Sequence, residues 1–149
     1  MVGLIVLVVV LVVACLGGFG MRLRQGRFRS GSARSASSPA AGDVLTAIDL
    51  GAPLGERGTL VQFSTEVCAF CGPTRELLTG VARARDGLAF VEIDASKRLD
   101  LARRLNVFST PTVLVLDADG SIASRAAGQP RKADLLAAVG TVLGEGGAS

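Results

Sequence analysis

The step from Thr59 to Pro73 constrains this chain most. An apolar, strand-like run (Thr59–Phe63) ends in a short polar turn, and Cys68 and Cys71, three positions apart, open a helical pattern. Beyond them Leu77, Leu78, Val81 and Ala82 recur at steps of three and four, which is one face of a helix. A cysteine pair at a strand-to-helix junction has a chemical use. The start of a helix offers unbonded N–H groups and the positive end of its dipole, and both favour a thiolate on Cys68. That lowers the thiol pKa into the range where it attacks disulfides near neutral pH. Cys71, one turn further in, can close a small ring and release a mixed disulfide. The pattern assigns Cys68 as nucleophile and Cys71 as resolver. Two other uses of the motif stand beside this one: a pair of buried cysteines, or half of a zinc site. Zinc takes four ligands. With three cysteines and no histidine in the chain, a site would need carboxylates or a second copy.

The start of the chain has a different character. Residues 2–20 carry no charge and are almost entirely Val, Leu, Ile, Ala and Gly. As a helix they span roughly 28 Å, close to the ~30 Å hydrocarbon core of a bilayer, which predicts a transmembrane helix. A buried soluble helix would need a core on every side, more than the remaining residues provide. A cleaved signal peptide and a lipoprotein signal compete for the same stretch, the second because Val12-Val13-Ala14-Cys15 resembles a lipobox. Both lack the usual basic residues ahead of the apolar run.

Arg22, Arg24, Arg27, Arg29 and Arg34 crowd the far flank of this run. Positive flanks stay inside, so the N-terminus is expected out and everything after Met21 cytoplasmic. The arginines would also meet the anionic inner leaflet favourably. Residues 21–42 therefore read as a basic juxtamembrane arm passing into a Ser-, Ala- and Gly-rich flexible linker. The chain's net charge of +3 belongs to this arm, because from Ala41 onwards 11 Lys and Arg face 13 Asp and Glu, a net of −2. A near-neutral domain makes no electrostatic case for nucleic acid.

Residues 43–146 carry the folded domain. Val44 to Leu50 suits either a short strand or a helical turn, and Gly51, Pro53, Gly55 and Gly58 make a loop. Strand Thr59–Phe63 and the cysteine-headed helix to about Ala84 follow; Pro73 is tolerable there if the helix begins near Phe70. Leu88–Asp94 reads as a strand and Lys97–Asn106 as a helix. The continuous apolar run Thr112–Leu116 suits a strand buried on both faces. Asp117-Ala118-Asp119-Gly120 is a hairpin turn in which Gly120 supplies a positive φ. Ser121–Ala127 returns antiparallel, and a last helix starting near Pro130 buries Leu135, Leu136, Val139 and Leu143. The order β-α-β-α-β-β-α predicts two parallel crossovers and a final hairpin, an α/β mixed central sheet with helices on both sides. Pro111 cannot donate to a sheet ladder. A cis Thr110–Pro111 turn would bring Thr110 towards Cys68, and a trans proline would simply start the strand.

These residues resemble the thioredoxin family. Phe63 to Cys71, the Thr110-Pro111-Thr112 step, the Asp119-Gly120 hairpin and Gly128 occur in the family's order and at similar separations, from roughly Thr59 to Leu143. The resemblance implies a thioredoxin-like fold with a redox-active Cys68–Cys71 disulfide. It also implies a cis Pro111 beside a Thr110 backbone that pairs with the substrate peptide. Gly128 on the groove rim, and Phe70 between the cysteines, complete the implied substrate surface. The whole chain is similar to membrane-anchored thioredoxin-like proteins of actinobacterial type. It departs from the family's pattern at several places. Ala69-Phe70 replaces Gly-Pro between the cysteines. Gln62 stands at the buried aspartate that helps deprotonate the resolving cysteine, Phe90 at that aspartate's lysine partner, and Ser64 and Val67 at two tryptophans. The family's first helix is reduced to the Gly- and Pro-rich loop. Because an amide cannot take a proton, resolution by Cys71 is expected to be slow.

The expected function is thiol–disulfide exchange by a membrane-tethered domain, reducing or relaying protein disulfides on the cytoplasmic side. No cofactor or metal is expected, so electrons would come from a partner protein such as a reductase. If the domain faces outward, disulfide formation or cytochrome maturation is the alternative. A non-catalytic docking or metal-carrier module is another.

Overall fold

A computed structural model describes residues 44–145, together with Val12 and the pair Arg29–Ser30. Among the described residues no helix is long and apolar enough to cross a membrane. The expected transmembrane run 2–20, apart from Val12, lies outside them. So do Cys15 and the arm and linker 21–42, apart from Arg29 and Ser30.

The elements are β1 (Arg29–Ser30), α1 (Ala47–Leu50), β2 (Gly58–Ser64), α2 (Cys71–Arg83), β3 (Leu88–Asp94), α3 (Leu99–Arg104), β4 (Thr112–Asp117), β5 (Ile122–Ala127) and α4 (Lys132–Leu143). Strand order is β1-β5-β4-β2-β3. Four strands, β5-β4-β2-β3, make the mixed sheet, and the two residues of β1 pair antiparallel with Arg125 and Ser124 on its β5 edge. The lead-in holds both alternatives open in the sequence: Val44 bridges Ser121, and Ala47–Leu50 is helical. Thr46 caps that short helix reciprocally with Asp49, whose N–H donates to the threonine hydroxyl while its carboxylate accepts from the threonine N–H.

One expectation is corrected. Only β2 and β3 run parallel; β4 is antiparallel to β2, so the second crossover is not a parallel one. The six residues of α3 cover only about 9 Å, less than half the ~23 Å of a seven-residue strand. The chain re-enters the sheet at the end where β2 finishes, Thr112 facing Phe63.

Alternation along the strands builds two cores. Val61, Phe63, Leu114 and Leu116 point to the face covered by α1 and α3, among Leu45, Leu50, Leu101 and Leu105. Leu60, Val113 and Val115 point to the opposite face, among Leu78 and Val81 of α2 and Leu135, Val139 and Leu143 of α4. The uninterrupted apolar run of β4 follows directly, since every residue from Val113 to Leu116 is fully buried on one face or the other. At the β4–β5 turn Gly120 has φ +85°, and a Cβ there would stand 2.2 Å from the Leu45 carbonyl oxygen. Both the conformation and the space demand glycine.

Candidate active site

β2 ends at Ser64, and the turn after it carries the cysteines. The Cys68 N–H donates to the Thr65 carbonyl at 3.2 Å, and the Cys71 N–H donates to the Cys68 carbonyl at 3.3 Å. Cys68 and Cys71 form a disulfide, with S–S 2.09 Å and Cα–Cα 5.4 Å. Cys71 is buried and Cys68 is half-buried at the surface, so an incoming group meets Cys68 first. Cys71, expected one turn into the helix, is its first residue, and Cys68 precedes α2 by three positions. Pro73 decides this. A helix begun at Cys68 would need the missing Pro73 N–H to bond the Ala69 carbonyl, and the proline ring would clash there. Beginning at Cys71 places Pro73 in the first turn, and Thr74 makes the first regular bond, to the Phe70 carbonyl at 3.2 Å.

The other expected site residues gather around this turn. The Thr110–Pro111 peptide is cis. The Thr110 and Thr65 hydroxyls lie 3.1 Å apart, joining the proline segment to the cysteine loop. The Gly128 N–H donates to the Pro111 carbonyl at 2.7 Å, so the end of β5 closes on the same segment. Gly128 has φ +85° with open space where a Cβ would sit; its glycine answers conformation, not crowding. Phe70 is 63 % exposed, and two further apolar side chains near the cysteine turn and the proline segment are freer still: Val67 at 95 % and Phe108 at 87 %.

Behind the disulfide, Gln62 is fully buried, and its Nε2 donates to the Cys71 carbonyl at 2.9 Å. Its Oε1 has no hydrogen-bond partner among the described residues. Beside the turn, Ser64, Thr65, Glu66, Arg75, Glu92 and Asp94 line an open depression. Arg75 donates from Nε and Nη2 to the two Glu92 carboxylate oxygens, at 2.6 and 2.7 Å. That bond, helped by the Ser64 hydroxyl, holds the Glu92 carboxyl below its usual range against the opposing effect of desolvation. Sequence reasoning did not single out Thr65, Arg75 or Glu92. Their partners lie 45 and 17 positions away, and only the β2–β3 register and the return of β4 bring them together. Among the described residues no group of three or more His, Cys, Asp or Glu is placed to hold a metal ion.

A disulfide between cysteines three positions apart at the head of the first long helix of such a sheet, one sulfur at the surface and one buried, is the equipment of a thiol–disulfide oxidoreductase. Residues 47–143 match the family model described as a thioredoxin-like domain. The chain belongs to the thioredoxin-like family.

Solved structures agree on the fold. Chloroplastic thioredoxin z is 25 % identical with a TM-score of 0.52, over 58 % of this chain and 79 % of that one. Oxidised mitochondrial thioredoxin 3 from Saccharomyces cerevisiae is 21 % identical with a TM-score of 0.51, over 58 % and 79 %. Thioredoxin f from spinach chloroplast is 20 % identical with a TM-score of 0.53, over 59 % and 78 %. A comparison with curated proteins finds no match.

Proposed function

We propose that this protein is a membrane-tethered protein-disulfide reductase or relay. The observation that carries it is the placement of a half-exposed Cys68 over a buried Cys71, beside the Thr110–Pro111 segment and the exposed Phe70. Cys68, as thiolate, attacks a client disulfide and forms a mixed disulfide; Cys71 then displaces the reduced client and restores the Cys68–Cys71 bond. Thr110 presents backbone groups to the client strand, with Pro111 and Gly128 shaping the groove and Phe70 contributing apolar contact. The cycle needs an electron-donor protein to reduce the disulfide again, and the residues named call for no cofactor.

The apolar run 2–20 and the arginines that follow support a single-pass anchor with the domain on the cytoplasmic side. Tethering raises the effective concentration of the domain for clients in or near the bilayer. On the cytoplasmic side the surrounding thiol pool favours reduction of clients over their oxidation. Insulin reduction by the full chain in detergent, with and without Cys68→Ser, tests the activity. A parent protein no faster than Cys68→Ser refutes it. A reporter fused to the C-terminus and active on one side of the membrane only tests the orientation; an outward domain would point to extracytoplasmic disulfide formation or cytochrome maturation.

A further inference from the structure

Gln62 is the one fully buried side chain behind the disulfide whose hydrogen bonding is incomplete among the described residues. Its amide orientation follows from its neighbour. Nε2 faces the Cys71 carbonyl at 2.9 Å, and exchanging the two ends would set carbonyl against carbonyl. Among the described residues Oε1 is therefore a buried acceptor without a donor, an arrangement native interiors rarely keep because the group has given up its bond to water and gained none in return. The described state is the oxidised one, in which Cys71 Sγ carries no hydrogen. Reduction changes that. It gives Cys71, at 3 % exposure, an S–H: a weak donor, shielded from water, beside the Gln62 amide with its unpartnered oxygen.

We infer that Gln62 Oε1 accepts the Cys71 S–H once the disulfide opens, so that Gln62 is a positioning residue that favours the reduced state. In the oxidised protein the acceptor is orphaned, and in the reduced protein it is satisfied. The amide thus pulls the couple towards dithiol and makes the disulfide more oxidising. The same contact holds Cys71 protonated, which leaves the thiolate to Cys68. The inference rests on the redox reading of the Cys68–Cys71 pair.

The test equilibrates the full chain with glutathione and its disulfide. Two glutathione thiols give up two electrons and two protons; the Cys68–Cys71 bond breaks, glutathione disulfide forms, and two protein S–H groups result. Gln62→Met keeps the length of the side chain and removes both amide groups. Its equilibrium constant is expected to move about tenfold towards the protein disulfide, a potential about 30 mV more negative. An unchanged constant overturns the inference. A second measurement does not depend on that variant folding. In the reduced chain carrying Cys15→Ala and Cys68→Ala, Cys71 is the one thiol left; its infrared S–H stretch is expected at the lowered frequency of a bonded thiol, and a free-thiol frequency overturns the inference as well. If the parent disulfide fails to exchange with glutathione at all, the oxidoreductase reading falls, and the infrared band alone decides the role of Gln62.

Discussion

The hydroxyls of Thr65 and Thr110, 45 positions apart, lie 3.1 Å from each other and join the loop bearing Cys68 to the segment before Pro111. The two halves of the site come from neighbouring strands far apart in the chain, the end of β2 and the re-entry to β4. Thr65→Val is expected to cost about 0.5–1.5 kcal/mol in a urea melt, the usual worth of one hydrogen bond. It should also slow client reduction. The double variant with Thr110→Val should lose less than the sum of the single losses. Strict additivity would show that the two hydroxyls are not coupled.

The exposure difference between the cysteines predicts an ordered exchange. Cys71→Ser should accumulate a mixed disulfide between Cys68 and a client, visible as a shifted band on a non-reducing gel. Cys68→Ser should trap nothing and reduce nothing. Equal trapping by both variants would mean that Cys71 is as accessible as Cys68, against its burial.

The Gln62 amide can accept a hydrogen bond from the Cys71 thiol, but it cannot take its proton at neutral pH. Gln62→Asp should therefore accelerate the resolving step, by up to the ~10²-fold at the lower end of general-base effects. Stopped-flow reduction of a model disulfide checks this, and an unchanged resolving rate would remove the proposed cause of slow turnover.

Arg75 holds Glu92 in its ionised form, so the folded-state pKa of Glu92 lies below its unfolded value. A depressed carboxyl pKa contributes stability above the unfolded value, and the contribution fades as pH falls through the folded one. Glu92→Gln should then lower Tm slightly at neutral pH, as suits a pair still open to solvent on the Arg75 side, and approach the parent in acid. A Tm difference that persisted undiminished at low pH would assign the loss to packing instead.

Much of this site was legible in the chain. The cysteine pair after a strand, the lone Thr110-Pro111 step and the Asp119-Gly120 turn are local signals, each confined to a few consecutive residues. The run Val113–Leu116 announced a strand covered on both faces because alternate residues enter two different cores. The direction of β4 was not legible. It depends on which end of β2 the segment after α3 pairs with, a choice made between residues far apart in the chain, and the helical pattern over Lys97–Asn106 overstates the six residues that become helical.

By itself, then, the sequence determined which elements form and which two sulfurs can meet, since hydrophobic period, turn residues and a three-position spacing act over one or two helical turns. The tertiary structure alone decided what surrounds those sulfurs. The Gln62 amide against the Cys71 carbonyl, the Thr65–Thr110 contact and the Arg75–Glu92 clamp each join residues from different elements. Strand register and the direction in which β4 pairs with β2 set those meetings, and neither is written in the residues that meet.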